Sequence, residues 1–290
     1  MAELLQFTFS GVTVGAIYAL VALGFAIIYN ASRIINFAQG EFVMLGGMTT
    51  VMLAANGLPL PVAIVGAVAI AIGVGLLLER GAVAPARHAP VVTLIIITIG
   101  ASIFLRGVAQ VLLGKDFHRL PAFSGDVPIG LGGAMLQPQT LWVVGVAAIT
   151  VALLHGFFTR TLYGKAMLAT AHNPLAAALV GIDTRRMLAV SFGLAAGLGA
   201  VAGILIAPIT LTAYDVGIML GLKGFAAAIL GGLGSFPGAI VGGLLLGLAE
   251  ALTAGYVSSA YKDAIAFVAI LAVLFVRPSG LLSLGRSERV

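Results

Sequence analysis

The sequence contains no cysteine. Disulfides and thiolate metal sites are thereby excluded, and the redox compartment leaves no mark. Charge is scarce as well. Asp, Glu, Lys and Arg make up 9% of the 290 residues, against about 25% in a soluble domain. Catalytic signatures are missing: HExxH, CxxC and G-x-S-x-G do not occur. The Gly164-Lys165 pair lacks the upstream glycine and the following Ser or Thr of a phosphate loop. His88, His118, His155 and His172 are scattered, which suits solvated or interfacial histidines better than metal ligands. The reading is a chain with no cofactor and no catalytic role, one that moves something or holds something that does.

What is abundant is apolar sequence. Hydrophobic residues reach 61% and mean hydropathy is +1.16. No soluble core needs that much, so the chain is read as an integral membrane protein. The apolar runs are long and uninterrupted, as helices require and barrel strands do not. Glycine, with 39 residues, lets membrane helices approach closely. The first apolar run follows no basic region and is too long for a signal peptide, so it is expected to be a retained helix.

A ruler of about 20 helical residues per crossing gives nine candidate segments: Leu4–Tyr29, Ile34–Ala55, Pro61–Leu78, Pro90–Leu113, Leu141–Thr159, Met187–Ala213, Val216–Gly232, Gly238–Gly255 and Tyr261–Val276. The second and seventh each carry a charge and many glycines, and either can be broken or re-entrant. The expected fold is an all-α polytopic bundle of eight to nine transmembrane helices with a short cytoplasmic helix. It forms one membrane domain over residues 1–290, because the polar segments are too short to bury a core of their own.

Basic residues set the orientation. With the N-terminus outside, the inner segments hold Arg33, Arg80, Arg87, Arg160, Lys165, Arg185, Arg186, Arg277, Arg286 and Arg289, and the outer ones only Lys115, Arg119 and Lys262. That bias obeys the positive-inside rule. It also explains the formal net charge of +5 without nucleic acid, since the basic residues are spread over short loops facing the membrane lipid.

One inner segment, residues 162–186, reads LYGKAMLATAHNPLAAALVGIDTRR. Asn173 is a good N-cap, Pro174 suits the first helical position, and Gly181 can take a left-handed stop. Asp183 or Thr184 can cap the next helix. The product is a two-turn helix. A helix so short is marginal alone, so it is either a tidy connector or a docking element.

Charges inside the membrane are costly and should face partners or a water path. Glu41, Arg106, Lys223 and Glu250 lie within apolar segments, with Asn36 and Gln39 close to Glu41. Thr98, Ser102 and Arg106 recur every four residues, on one face of the fourth segment with Gln110 near its edge. Two roles stand open: polar contacts fixing the bundle, or a lining of the translocation route. Either way Glu41 or Glu250 is expected to pair with Arg106 or Lys223. The glycine pairs 193/197, 199/203, 238/242 and 243/247 are spaced for helix contact. The run GGLGSFPG, Gly231 to Gly238, reads as a helix break and turn at the inner face.

Leu175-Ala176-Ala177, then three residues, then Gly181-Ile182 resembles the EAA loop of ABC-importer permeases, with Leu175 where the name-giving Glu often stands. Tyr18 to Gly47, the GKAMLATAHNPL to AGIL region, LKGFAAAILGGLGSFPGAIVGG and FVRPSGLL are similar, in order, to the shorter, LivH-type permease of branched-chain amino acid ABC importers. The resemblance implies an alternating-access permease of the bacterial inner membrane. Asn173, Pro174, Leu175, Ala176, Ala177, Gly181 and Ile182 would form its coupling helix. Its implied partners are two cytoplasmic ATP-binding subunits, a second, LivM-type permease, a periplasmic solute-binding protein and a small-molecule solute. Urea, short amides or aromatic acids are alternative solutes. An ATP-independent channel or secondary transporter is the alternative class, although no pair of inverted halves is evident.

Overall fold

The computed structural model describes residues 2–282. Arg286 and Arg289, assigned above to the inner side, lie outside them. The chain is built from α1 (Ala2–Ser32), α2 (Gln39–Ala55), α3 (Leu60–Leu78), α4 (Val91–Leu112), β1 (Ile129–Leu131), β2 (Ala134–Leu136), α5 (Pro138–Arg160), α6 (Leu162–His172), α7 (Pro174–Leu179), α8 (Thr184–Ile206), α9 (Val216–Gly231), α10 (Phe236–Tyr256) and α11 (Lys262–Val276). Five residues in π geometry, Glu79–Val83, prolong α3.

Apolar residues surround α1 on every side, so it can be stable only as a core element. Ala16 to Ile28 are buried without a break. Helix α10 lies along it at very short range. A Cβ at Gly243 or Gly247 of α10 would strike the backbone of Ala19 or Gly15, which is why glycine stands there. Helices α8 and α9 complete the ring around α1, and α2 wedges between them. The polarity of a soluble protein is inverted on the outer helices: Leu77, Val111, Leu153 and Phe275 are largely exposed, as a lipid-facing surface requires.

Seven helices among the described residues are long and apolar enough to cross a membrane: α1, α3 with its π extension, α4, α5, α8, α10, and α11 with the short turn before it. Helices α2 and α9, at 17 and 16 residues, rise about 25 Å each, short of the roughly 30 Å core. They are the two segments singled out in the sequence as candidates for breakage.

The segment expected to begin at Ile34 does not start as a helix. Residues 33–38 form an irregular turn with Ile34, Asn36 and Ala38 buried, and α2 starts only at Gln39. Arg33, at φ 59°, ends α1, and its guanidinium donates to the Ala171 carbonyl of α6 at 2.7 Å. The turn meets its backbone needs locally: Ala38 N–H donates to Asn36 Oδ1 at 3.1 Å and Phe37 N–H to Thr98 Oγ1 at 3.3 Å. Non-helical backbone at this depth survives only where protein satisfies it.

Two further departures have local causes. Helix α8 stops at Ile206 rather than Ala213, just ahead of Pro208, which cannot continue it, and Thr212 beyond the break forms a reciprocal backbone bridge with His118. Between α4 and α5, Gly132 and Gly133 both adopt positive φ and close a hairpin between β1 and β2. The helix break and turn expected over Gly231 to Gly238 are present: Gly232 and Gly234 have positive φ, and Ser235 caps α10 by accepting from Gly238 N–H.

Candidate functional site

The polar residues expected within the membrane gather into two clusters and a pair of single contacts. The first cluster joins α2 and α4. Glu41 lies in the first turn of α2, where the helix dipole favours a carboxylate. Its Oε1 accepts from Ser102 Oγ at 2.7 Å, and Arg106 Nε is 3.7 Å away. That distance makes an ion pair but exceeds hydrogen-bond reach. Glu41 Oε2 and Arg106 Nε have no hydrogen-bond partner. Thr98, Ser102 and Arg106 do share one face, turned to residues 35–41.

This cluster lines a half-open cavity of about 240 Å³. Phe25, Phe37, Ile99, Ile103, Ile218, Leu222 and Phe225 make the apolar walls. Gly217 and Gly221 of α9 form a low floor. Gly40 stacks on both so closely that a side chain at any of the three would force α2 and α9 apart. Glu41 is almost wholly buried, whereas the Arg106 side chain keeps 27% of its surface.

The second cluster joins α1, α9, α10 and α11. Lys223 Nζ is 2.5 Å from Glu250 Oε1, an ion pair without hydrogen-bond alignment, and donates to Asp263 Oδ1 at 2.6 Å. Tyr18 donates to the other Glu250 oxygen at 2.5 Å, and its ring lies 5.6 Å from the ammonium. Neither Lys223 nor Glu250 lines the cavity.

The remaining two residues join neither cluster. Gln39 reaches the other way, donating to the Ala195 carbonyl at 2.9 Å between α1 and α8. Asn36 Oδ1 serves its own turn, while its amide nitrogen has no hydrogen-bond partner. Sequence reasoning missed Tyr18 and Asp263. Asp263 was hidden as the head of a surface-facing helix. The one signal for Tyr18 was a phenol within an otherwise apolar run. Among the described residues, no three His, Asp or Glu side chains are gathered to hold a metal ion.

At the end of the bundle that carries α6, the short helix α7 is capped on both sides. Asn173 Oδ1 accepts from Ala176 N–H at 3.0 Å, Gly181 turns at φ 88°, and Asp183 caps α8 through the Arg185 and Arg186 amides. Ala177 is buried against the bundle, while Leu175, Leu179 and Val180 stand about three-quarters exposed.

Seven long apolar helices among the described residues, with apolar side chains turned outward and charges paired inside, define a multi-pass membrane protein. Residues 7–274 match the family model described as branched-chain amino acid transport system / permease component, and the chain belongs to that family. It is 36% identical to the high-affinity branched-chain amino acid transport system permease protein LivH of Escherichia coli K12, covering 99% of this chain and 97% of that one. It is 34% identical to the permease protein BraD of Pseudomonas aeruginosa, covering 99% and 98%. The fold is similar to a chain of PsaBC from Streptococcus pneumoniae solved in complex with Fab, at a TM-score of 0.51 and 17% identity over 96% of this chain and 93% of that one.

Proposed function

We propose that this chain is the transmembrane permease subunit of an ATP-driven importer for branched-chain or related amino acids in the bacterial inner membrane. Residues 1–290 act as one membrane domain, with α2 and α9 supplementing the seven long helices. The chain pairs with a related permease. It receives solute from a periplasmic binding protein and takes its driving force from two cytoplasmic ATP-binding subunits. The substrate reading rests on the family and on the named activity of its relatives.

The coupling reading rests on one observation: a helix too short to stand alone presents Leu175, Leu179 and Val180 to the exterior of the chain. Apolar side chains beyond the membrane on a doubly capped turn suit insertion into a groove of another protein. The small residues Ala176 and Ala177 let α7 lie close to its own bundle. The segment 162–186, with Asn173, Pro174, Gly181 and Ile182 as its stops, transmits closure of the ATPases to α8 and hence to α2. Glu41, Ser102 and Arg106 line the route, and Asn36, Gln39, Lys223 and Glu250 hold its walls.

Mild solubilisation of tagged chain tests this reading. ATPase subunits and a second permease should copurify with the wild type. Ala177→Glu or Gly181→Pro should lose the ATPases and keep the second permease. A chain that purifies alone, and moves solute in vesicles without ATP, would replace this reading with that of a channel or secondary transporter.

A further inference from the structure

We propose that the cavity between α2, α4 and α9 is a transient binding site for the zwitterionic head of an α-amino acid, so that the permease itself selects its solute. The inference rests on the importer reading and adds a selecting site within the permease and the atoms that recognise the solute.

Three observations carry it. The carboxylate of Glu41 is buried, and only one of its oxygens is engaged, by Ser102. Its other oxygen and Arg106 Nε lack partners, although their side chains both line the cavity. A buried charge left half-satisfied is costly in a low-dielectric setting, and structures keep such groups where a ligand completes them. The spacing is the second observation. At 3.7 Å the pair is close enough to neutralise itself yet too open to be sealed by a hydrogen bond. The third is the wall: Phe37, Ile99, Ile103 and Leu222 give an apolar lining around a single polar end. The volume, about 240 Å³, lies below the roughly 300–1,000 Å³ of drug-sized pockets and suits a solute of amino-acid size.

The pair is net neutral, and so is a zwitterion. The solute ammonium faces the Glu41 carboxylate and the solute carboxylate accepts from the Arg106 fork, so every charge meets an opposite one. The ammonium and carboxylate of an α-amino acid sit on one carbon, close enough to address both members of the pair. A solute with one charge leaves either Glu41 or Arg106 facing no counter-charge, which is expensive at membrane depth. Urea, sugars and amides bring no charge to exchange. Among the solutes a permease of this kind could carry, this cavity therefore favours free amino acids with aliphatic side chains.

The absence of native cysteine makes a direct test possible. Ile103→Cys places one thiol on the cavity wall, and Leu222→Cys offers a second position if the first impairs transport. The assembled importer is reconstituted, a water-soluble methanethiosulfonate is added, and labelling is read by mass on this chain alone. At leucine concentrations about ten times its dissociation constant, labelling should slow about tenfold, as site occupancy requires. Isoamylamine and 4-methylpentanoate, which carry only one of its charges, should leave the rate nearly unchanged. Protection should vanish in Glu41→Gln and partly persist in Glu41→Asp, which separates charge from folding. No protection by leucine, or equal protection by the single-charge analogues, would overturn the site. ATP-driven leucine uptake by the same vesicles keeps the two claims apart: uptake without protection defeats only the zwitterion site, and no ATP-driven uptake defeats the importer reading itself.

Discussion

The two ion-pair clusters use the same chemistry in opposite ways. Around Lys223 the contacts are short, at 2.5–2.6 Å, and Tyr18, Glu250 and Asp263 from three different helices close on one ammonium. Around Glu41 the pair is 3.7 Å apart, beside a cavity, with hydrogen-bonding atoms left over. A sealed cluster fixes helices: α10 and α11 are tied to α9 through a single side chain. An open one keeps its capacity for a ligand. Burial of charge is thus not by itself a mark of a transport route. The distance between the charges and the cavity beside them separate the two cases.

The largest effect expected from breaking this contrast is in the sealed cluster. Lys223→Met strands the Glu250 carboxylate among α1, α9 and α10. Loss of one member of a buried pair costs about 3–5 kcal/mol, so the purified complex should melt at clearly lower temperature. Lys223→Met with Glu250→Gln should recover most of that loss, because the charge then left without a partner, Asp263, is partly exposed and can be hydrated. If the double variant is as unstable as the single one, the cluster is not a bolt. The next effect is steric. Gly40→Val drives a side chain into the Gly217 carbonyl where α2 crosses α9. Overpacking of this kind costs about 1–3 kcal/mol, visible in the same melting assay, and should also close the cavity to thiol reagents.

Glu41→Gln is expected to behave differently from Lys223→Met. The amide keeps the bond from Ser102, and Arg106 is partly exposed, so stability should change by only about 1 kcal/mol, while leucine uptake falls far more. Equal damage to folding and transport would erase the distinction between the clusters. The smallest effect is local: Asn173→Ala removes the cap on α7 and costs about 1 kcal/mol. The bundle should melt almost normally, with ATPase copurification reduced.

How far the sequence reveals all this depends on the range of the interaction. The caps of α7 are legible because Asn173, Pro174, Gly181 and Asp183 act on backbone within three residues of themselves. The shared face of Thr98, Ser102 and Arg106 is legible because helical periodicity is local too. The partner choices are not. Two carboxylates and two cations allow different pairings, and only the packing of α2 on α4 and of α9 on α10 decides between them. The break before α2 escapes a hydropathy ruler because Ile34, Ile35, Phe37 and Ala38 are as apolar as a helix. The polar atoms that serve the turn, Asn36 Oδ1 and Thr98 Oγ1, come partly from a helix some sixty residues away. The number of full crossings is left open for the same reason, since composition measures apolar length and not where a helix starts.

The central claim, a permease driven by ATP, is tested most directly by uptake of labelled leucine into vesicles that hold the chain with its ATPase, permease and binding-protein partners. The vesicles carry no ion gradient, and nucleotide is supplied on the ATPase side. The account predicts accumulation that needs both ATP and the binding protein, and that is lost in Ala177→Glu. Accumulation without ATP, or only when an ion gradient is imposed, would contradict it.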